Sequence, residues 1–269
     1  APAYLRTHPL TGERISEMEG RVMRLPYRQV PDSLDFQLVR AKLKVGTVAS
    51  REVLEAFERA AAAEGASTAA QYGLVRAYLS TQRLGDADRA MAQLRKGQAV
   101  SPMIDGLAAE LRLAHRDPLG AAKVFREARA RFPQARRLLH GELEALLEAG
   151  RPAEAFELAK AETLTRPASA GLWELRARAE SALGKRLAQH RSLAEVYAIQ
   201  GNYAESANQL ALARAAGDGD FFEQSAVDSR LREVRVLLEE QLRELAALPA
   251  GQPWPAARGS LAELHLQQL

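Results

Sequence analysis

The chain has 269 residues, 47% of them hydrophobic and 26% charged, a balance typical of folded, water-soluble proteins rather than disordered or fibrous ones. A formal net charge of +3 over this length is too small for a nucleic-acid-binding patch, so no nucleic acid is expected as a partner. Cysteine is absent, which excludes disulfides, thiolate metal sites and a cysteine nucleophile.

No window holds a long uninterrupted apolar run, so no transmembrane segment is expected. No basic-then-apolar run opens the chain, so no signal peptide is expected in it either. The first stretch, YLRTHPLTGERI over residues 4–15, combines a His-Pro pair with Thr11 as a helix start. On local chemistry alone it is a turn ahead of a helix. Ala1 lies just before it, inside what reads as a structured segment, and the expectation is a processed product lacking part of a longer protein.

Beyond residue 12 almost every segment is rich in Ala, Leu, Glu and Arg, with apolar residues three and four apart and no convincing alternating strand. Residues 33–66 hold two helical stretches, SLDFQLVRAKLKV and SREVLEAFERAAAAEG, expected as an N-terminal cap pair. Gly65, Gly150, Gly184 and Gly201 follow helical runs, where a residue tolerant of positive φ is favoured. Pro152 sits two residues past Gly150, where its fixed φ suits the first helical position.

The helices repeat. Ala90, Leu94, Gly97 and Pro102 keep the same offsets as Ala121, Phe125, Ala128 and Pro133, and as Ala155, Ala159, Glu162 and Pro167. The pattern A-x3-F-x2-A-x4-P is the second-helix signature of a tetratricopeptide repeat, and residues 121 and 155 are one 34-residue period apart. Small residues let the two helices of a unit approach, the large one fills the groove, and the proline ends the unit. Trp173 falls where the next first helix carries its Trp. HRSLAEVYAIQ (190–200) and GNYAESANQLALA (201–213) complete the array as a first and a second helix, so the repeats cover 67–216. The expected fold is all-α, a tetratricopeptide (TPR) helix-pair solenoid with N- and C-terminal capping helices.

Residues 217–246 supply the C-terminal cap, whose stripe of Val227, Leu231, Val234, Leu238 and Leu245 marks one long amphipathic helix. A dimerising coiled coil is the other reading of that stripe. Residues 247–269 are a Pro/Gly linker and a short tail helix. There Trp254, Leu261, Leu264 and Leu266 offer a surface for docking on this chain or for self-association.

Five histidines stand at 8, 115, 140, 190 and 265, and none forms H-E-x-x-H. There is no G-x-S-x-G elbow and no Walker loop, and AGDGDFF (216–222) lacks the later Glu of a calcium loop. No catalytic residue is expected in this chain. His115 and His190 suit solvated or helix-capping positions. His140 falls mid-way along a first helix with Arg137 and Glu144, where groove-lining side chains lie in such arrays. Glu174 and Arg178 hold corresponding places one unit on. The five form either a salt-bridged face or a protein-binding groove of mixed sign.

The opening stretch THPLTGERI, then LDFQLVRAKLKV, YGLVRAYL and the repeats, resembles the part of the BepA-like periplasmic zinc metallopeptidases (peptidase family M forty-eight) that follows their catalytic core. The resemblance covers residues 4–245 and rests on a His-Pro and Arg-Ile motif directly ahead of tetratricopeptide units. It implies that residues 1–32 are the C-terminal end of a metallopeptidase core. His8, Pro9 and Arg14 match the family's regulatory loop, with His8 able to approach the zinc of the full-length parent as a neutral imidazole. No cofactor is expected in this chain alone, since the three core ligands are lacking. The resemblance further implies a periplasmic location, a role in outer-membrane β-barrel protein assembly and quality control, and β-barrel proteins and the barrel-assembly machinery as partners. A stand-alone tetratricopeptide adaptor with no protease domain is the alternative.

Overall fold

The computed structural model describes residues 11–24 and 31–246. The helices are α1 Thr11–Arg24, α2 Leu34–Val45, α3 Arg51–Ala62, α4 Thr68–Ser80, α5 Leu84–Lys96, α6 Pro102–Ala114 and α7 Pro118–Arg131. They continue as α8 Arg136–Glu148, α9 Pro152–Thr165, α10 Ala170–Ala182, α11 Arg186–Ile199, α12 Tyr203–Ala215 and α13 Phe221–Ala246. Among the described residues there is no strand, and the expected all-α helix-pair solenoid is what the chain forms. His8, Pro9 and residues 247–269 lie outside the described residues, and Arg14 lies within α1.

From α2 on, alternate helices start at residues 34, 68, 102, 136, 170 and 203, and their partners at 51, 84, 118, 152, 186 and 221. Every step is within one residue of 34, so each pair repeats the one before it. Besides packing on their neighbours in sequence, α2, α4, α6, α8 and α10 also pack each on the next, forming a continuous row of first helices. Their starts are set locally. Pro102, Pro118 and Pro152 each open a helix, where the missing N–H costs nothing. Ser33, Ser50 and Ser67 cap α2, α3 and α4 by accepting from backbone N–H groups three residues on.

Two features of the repeat differ from the sequence reading. The structural counterparts of Ala121, Phe125 and Ala128 in α5 are Ala87, Met91 and Leu94, all buried, whereas Gly97 is exposed. The first copy read from sequence is therefore slipped by three residues. A helix returns to nearly the same face after three residues, so a degenerate small-large-small pattern fits twice. In addition, α11 is the second helix packed on α10, and α12 is the first helix of a last pair closed by α13. Gly184 and Gly201 both end helices, and glycine punctuation alone does not say which turn lies within a pair.

The turn inside each pair has one residue of positive φ, at Gly46 (65°), Gln82 (61°), Arg116 (58°), Gly150 (67°), Gly184 (72°) and Gly217 (76°). Glycine adopts this conformation freely; at Gln82 and Arg116 a residue with a Cβ is held there by the packing on either side.

Between pairs the approach is closer still. A Cβ at Gly73 would overlap the Phe57 ring, and one at Gly141 would overlap the Phe125 ring. Phe57 and Phe125 lie on second helices, and Gly73 and Gly141 lie on the first helices that follow. The same two places hold Met91 with Leu107, and Ala159 with Leu175. Where one side shrinks the other grows, so helix spacing is kept while residue identity changes.

Among the described residues the core carries two fully buried carboxylates, Glu142 and Glu180. Glu142 accepts from Arg126 Nε at 2.8 Å and from Arg129 Nε at 2.9 Å. Glu180 accepts from Arg176 Nε at 2.8 Å and from Ser192 Oγ at 2.6 Å, which ties α10 to α11. Arg176 is 12% exposed and Arg126 55%. Glu180→Ala strands a buried guanidinium and is expected to cost about 3 kcal/mol in urea unfolding. Arg126→Ala leaves Glu142 its second arginine and is expected to cost under about 1 kcal/mol. Equal losses for the two variants would contradict this account of the polar core.

Candidate functional site: a cationic cavity on the first-helix row

Helix α8 opens with Arg136 and Arg137, so both guanidinium groups stand at its N-terminal end, and His140 and Glu144 follow along its length. Arg137 Nη1 lies 3.5 Å from Glu144 Oε2. His140 is half-buried and leans on α10: a Cβ at Gly171 would come within 2.9 Å of its Cε1. The absence of a side chain at 171 thus makes room for the imidazole. Behind the histidine, Leu139 and Leu172 are buried.

Around His140 opens a cavity of about 530 Å³, lined by Arg136, Leu139, Thr165, Arg166, Ser169 and Leu172 among others. No Asp or Glu is among the lining residues. Arg166 ends α9 and pairs with Glu162 at 3.2 Å. Glu162 is shared with Arg129, also at 3.2 Å, and Arg129 reaches the buried Glu142. A chain of ion pairs therefore runs from the core to the cavity wall. Arg136 makes no ion pair with any described residue.

The His140 imidazole is held below its ordinary pKa, chiefly by burial. Glu144 pulls the other way, and the guanidinium groups of Arg137 and Arg166 add to the lowering. At neutral pH the ring is uncharged, with the cations of the cavity supplied by the arginines.

The five groove residues read from sequence are thus not equivalent. Arg137, His140 and Glu144 cluster on α8. Glu174 and Arg178 are exposed on α10, and neither makes an ion pair with a described residue. One register position links these to two residues the sequence reading missed. Arg76, Glu110, Glu144 and Arg178 are each 34 residues apart on successive first helices. The first two are joined, Arg76 Nη1 donating to Glu110 at 3.0 Å. Counting one and two periods back from Glu144 in the sequence was the signal for them. Arg136 and Arg166 had no such signal, because they border units instead of repeating within them.

Among the described residues no group of three or more His, Asp or Glu side chains is placed to hold a metal ion. The cavity's arginines, histidine and leucines do not fit a zinc site. No described helix is long and apolar enough to cross a membrane.

His140 links the site to pH. Above the ordinary imidazole pKa of about 6.5, folded and unfolded chains both carry it neutral. Below that value the unfolded chain takes up a proton that the folded chain resists, so folded stability falls. His140→Gln is expected to lose less stability than the unsubstituted chain between pH 7.5 and 5, measured by urea unfolding at each pH. An equal or larger loss in the variant would show that the ring is not desolvated.

No family model matches the chain. It is 29% identical over 247 residues to the Beta-barrel assembly-enhancing protease of Escherichia coli (strain K12), an alignment covering 88% of this chain and 49% of the relative. The proteins of the same name from Shigella flexneri and Escherichia coli O157:H7 match to the same extent. The chain spans about half the length of the curated relatives it matches. In extent and kind this is the likeness carried by the opening motif and the repeats: the chain resembles a C-terminal part of a BepA-like protein.

Proposed function

We propose that the chain is the C-terminal, protein-binding tetratricopeptide region of a periplasmic zinc metalloendopeptidase that acts in outer-membrane β-barrel protein assembly and quality control. Residues 67–216 form the repeat array, flanked by cap elements at 33–66 and 217–246, and 1–32 are the C-terminal end of the catalytic core. Zinc belongs to the full-length parent, where His8, Pro9 and Arg14 regulate access to it. Substrate or partner segments lie along the concave side of the first helices, contacting Arg137, His140, Glu144, Glu174 and Arg178. β-Barrel proteins and the barrel-assembly machinery are the partners.

The observation that carries this reading is the first-helix row itself. It presents charges of both signs at one register position every 34 residues, and at α10 the charge at that position, Arg178, and Glu174 one turn before it have no partner among the described residues. Side chains of mixed sign on a repeating rigid face suit an extended polypeptide with polar groups along its length. The relatives' name supports the class of client.

The test is a fluorescence titration of the full chain with a urea-denatured outer-membrane β-barrel protein diluted to non-denaturing conditions. Saturable binding is expected, and Arg178→Glu is expected to raise Kd about fivefold, equivalent to about 1 kcal/mol. No binding, or an Arg178→Glu variant that binds equally well, would contradict a client-binding row and favour the adaptor reading.

A further inference from the structure

We propose that the cavity between α8, the 166–169 turn and α10 is a carboxylate-binding subsite that anchors a polypeptide on the row through its C-terminal or side-chain carboxylate. The inference rests on the polypeptide-binding reading above and specifies which group is held where.

The sign of the ligand follows from the lining. Arg136, Arg166 and His140 face one space with no acidic residue among the lining. The start of α10 borders the same space. Ser169, its N-cap residue, makes no side-chain capping bond, and no acceptor among the described residues meets the backbone N–H of Ala170 or Gly171. Two arginines and the start of α10 border this one space, so a planar oxygen pair within it has donors on more than one side. Leu139 and Leu172 form an apolar floor that raises the strength of those bonds by keeping water from one side.

The charge of the ligand follows from the ion pairs. Arg166 is already partly neutralised by Glu162, which it shares with Arg129. Arg137, just outside the lining, is paired with Glu144. Arg136 contributes the one guanidinium of the cavity with no carboxylate against it among the described residues. A single uncompensated cation matches a monoanion, and a peptide carboxylate meets that better than a dianionic phosphate. A volume of about 530 Å³ leaves room for the terminal residue's side chain beside the carboxylate.

The test uses the full chain with two sets of probes. In the first, the His140 ring resonances are followed by NMR during titration with sodium acetate, sodium phosphate and sodium chloride at constant ionic strength. Acetate is expected to move them saturably and to raise the pH of their titration midpoint, since an anion beside the ring favours its charged form. Arg136→Gln, an exposed position, is expected to weaken that response about tenfold. A response to acetate no larger than that to chloride would overturn the proposal, and so would phosphate binding more tightly than acetate.

In the second, three labelled ten-residue peptides of alternating Thr and Val are compared: one ending in a free acid, one in an amide, and one ending in an amide with a central Asp. Free acid binding about tenfold more tightly than amide, with the difference lost in Arg136→Gln, assigns the cavity to a C-terminal carboxylate. Equal gain from the central Asp assigns it to carboxylates in general. An acetate response with no peptide binding at all would sink the polypeptide-binding reading and leave the anion site standing. Peptides that bind without regard to carboxylate would do the reverse.

Discussion

The fold depends on how closely each first helix can settle onto the second helix before it. At Gly141 there is no side chain, and the Phe125 ring takes the space that one would fill. Gly73 and Phe57 meet in the same way. Elsewhere the exchange runs the other way, with leucine at 107 and 175 opposite Met91 and Ala159. Dispersion and the hydrophobic effect reward contact and penalise both gaps and overlap, so a fixed spacing with changing residues requires compensation on the two sides. Because that compensation recurs at 34-residue steps, the packing of each pair on the next recurs with it. Equivalent positions on α4, α6, α8 and α10 therefore come into line.

The site inherits its geometry from that alignment. Arg76, Glu110, Glu144 and Arg178 form a row only because four helices repeat the same pose. The cavity arises where the repetition is locally relieved: Gly171 lets His140 lean onto α10, and the 166–169 turn stands away from the start of α8. Buried charge ties this place to the core. Glu142 is closed off from water and held by two arginines, and one of those reaches Glu162 and so Arg166 at the cavity wall. A chain of charges alternating in sign holds Arg166 in place without fully cancelling it. That suits a recognition group, which must be ordered before its ligand arrives.

Much of the fold was legible because periodicity and punctuation are local. Pro152 at a helix start and the 121/155 spacing announced helix pairs directly. The slip at Ala87, Met91 and Leu94 arose because a helix nearly repeats its face after three residues, and only contact with the next helix decides which set is buried. The turns at Gln82 and Arg116 were hidden because neighbouring packing, and no glycine, holds the positive φ. The same limit applies to the site. His140 and Glu144 were visible from register, while Arg136 and Arg166 meet only through the turn joining two units. Nothing in the local sequence marks Glu142 and Glu180 for burial, which depends on arginines thirteen to sixteen residues away or on a serine twelve away.

The measurement that bears most directly on this account is a double-mutant cycle at one inter-pair contact, read by urea unfolding. Phe125→Ala alone is expected to cost about 3–5 kcal/mol by opening a cavity. Gly141→Leu alone is expected to cost about 1–3 kcal/mol or more by overpacking. Combined, they recreate the Ala159 and Leu175 arrangement one repeat on, and the loss should fall short of the sum by about 1–3 kcal/mol. Strict additivity would mean that residues 125 and 141 do not share one space. The 34-residue register, and with it the alignment of the row and the cavity, would then be wrong.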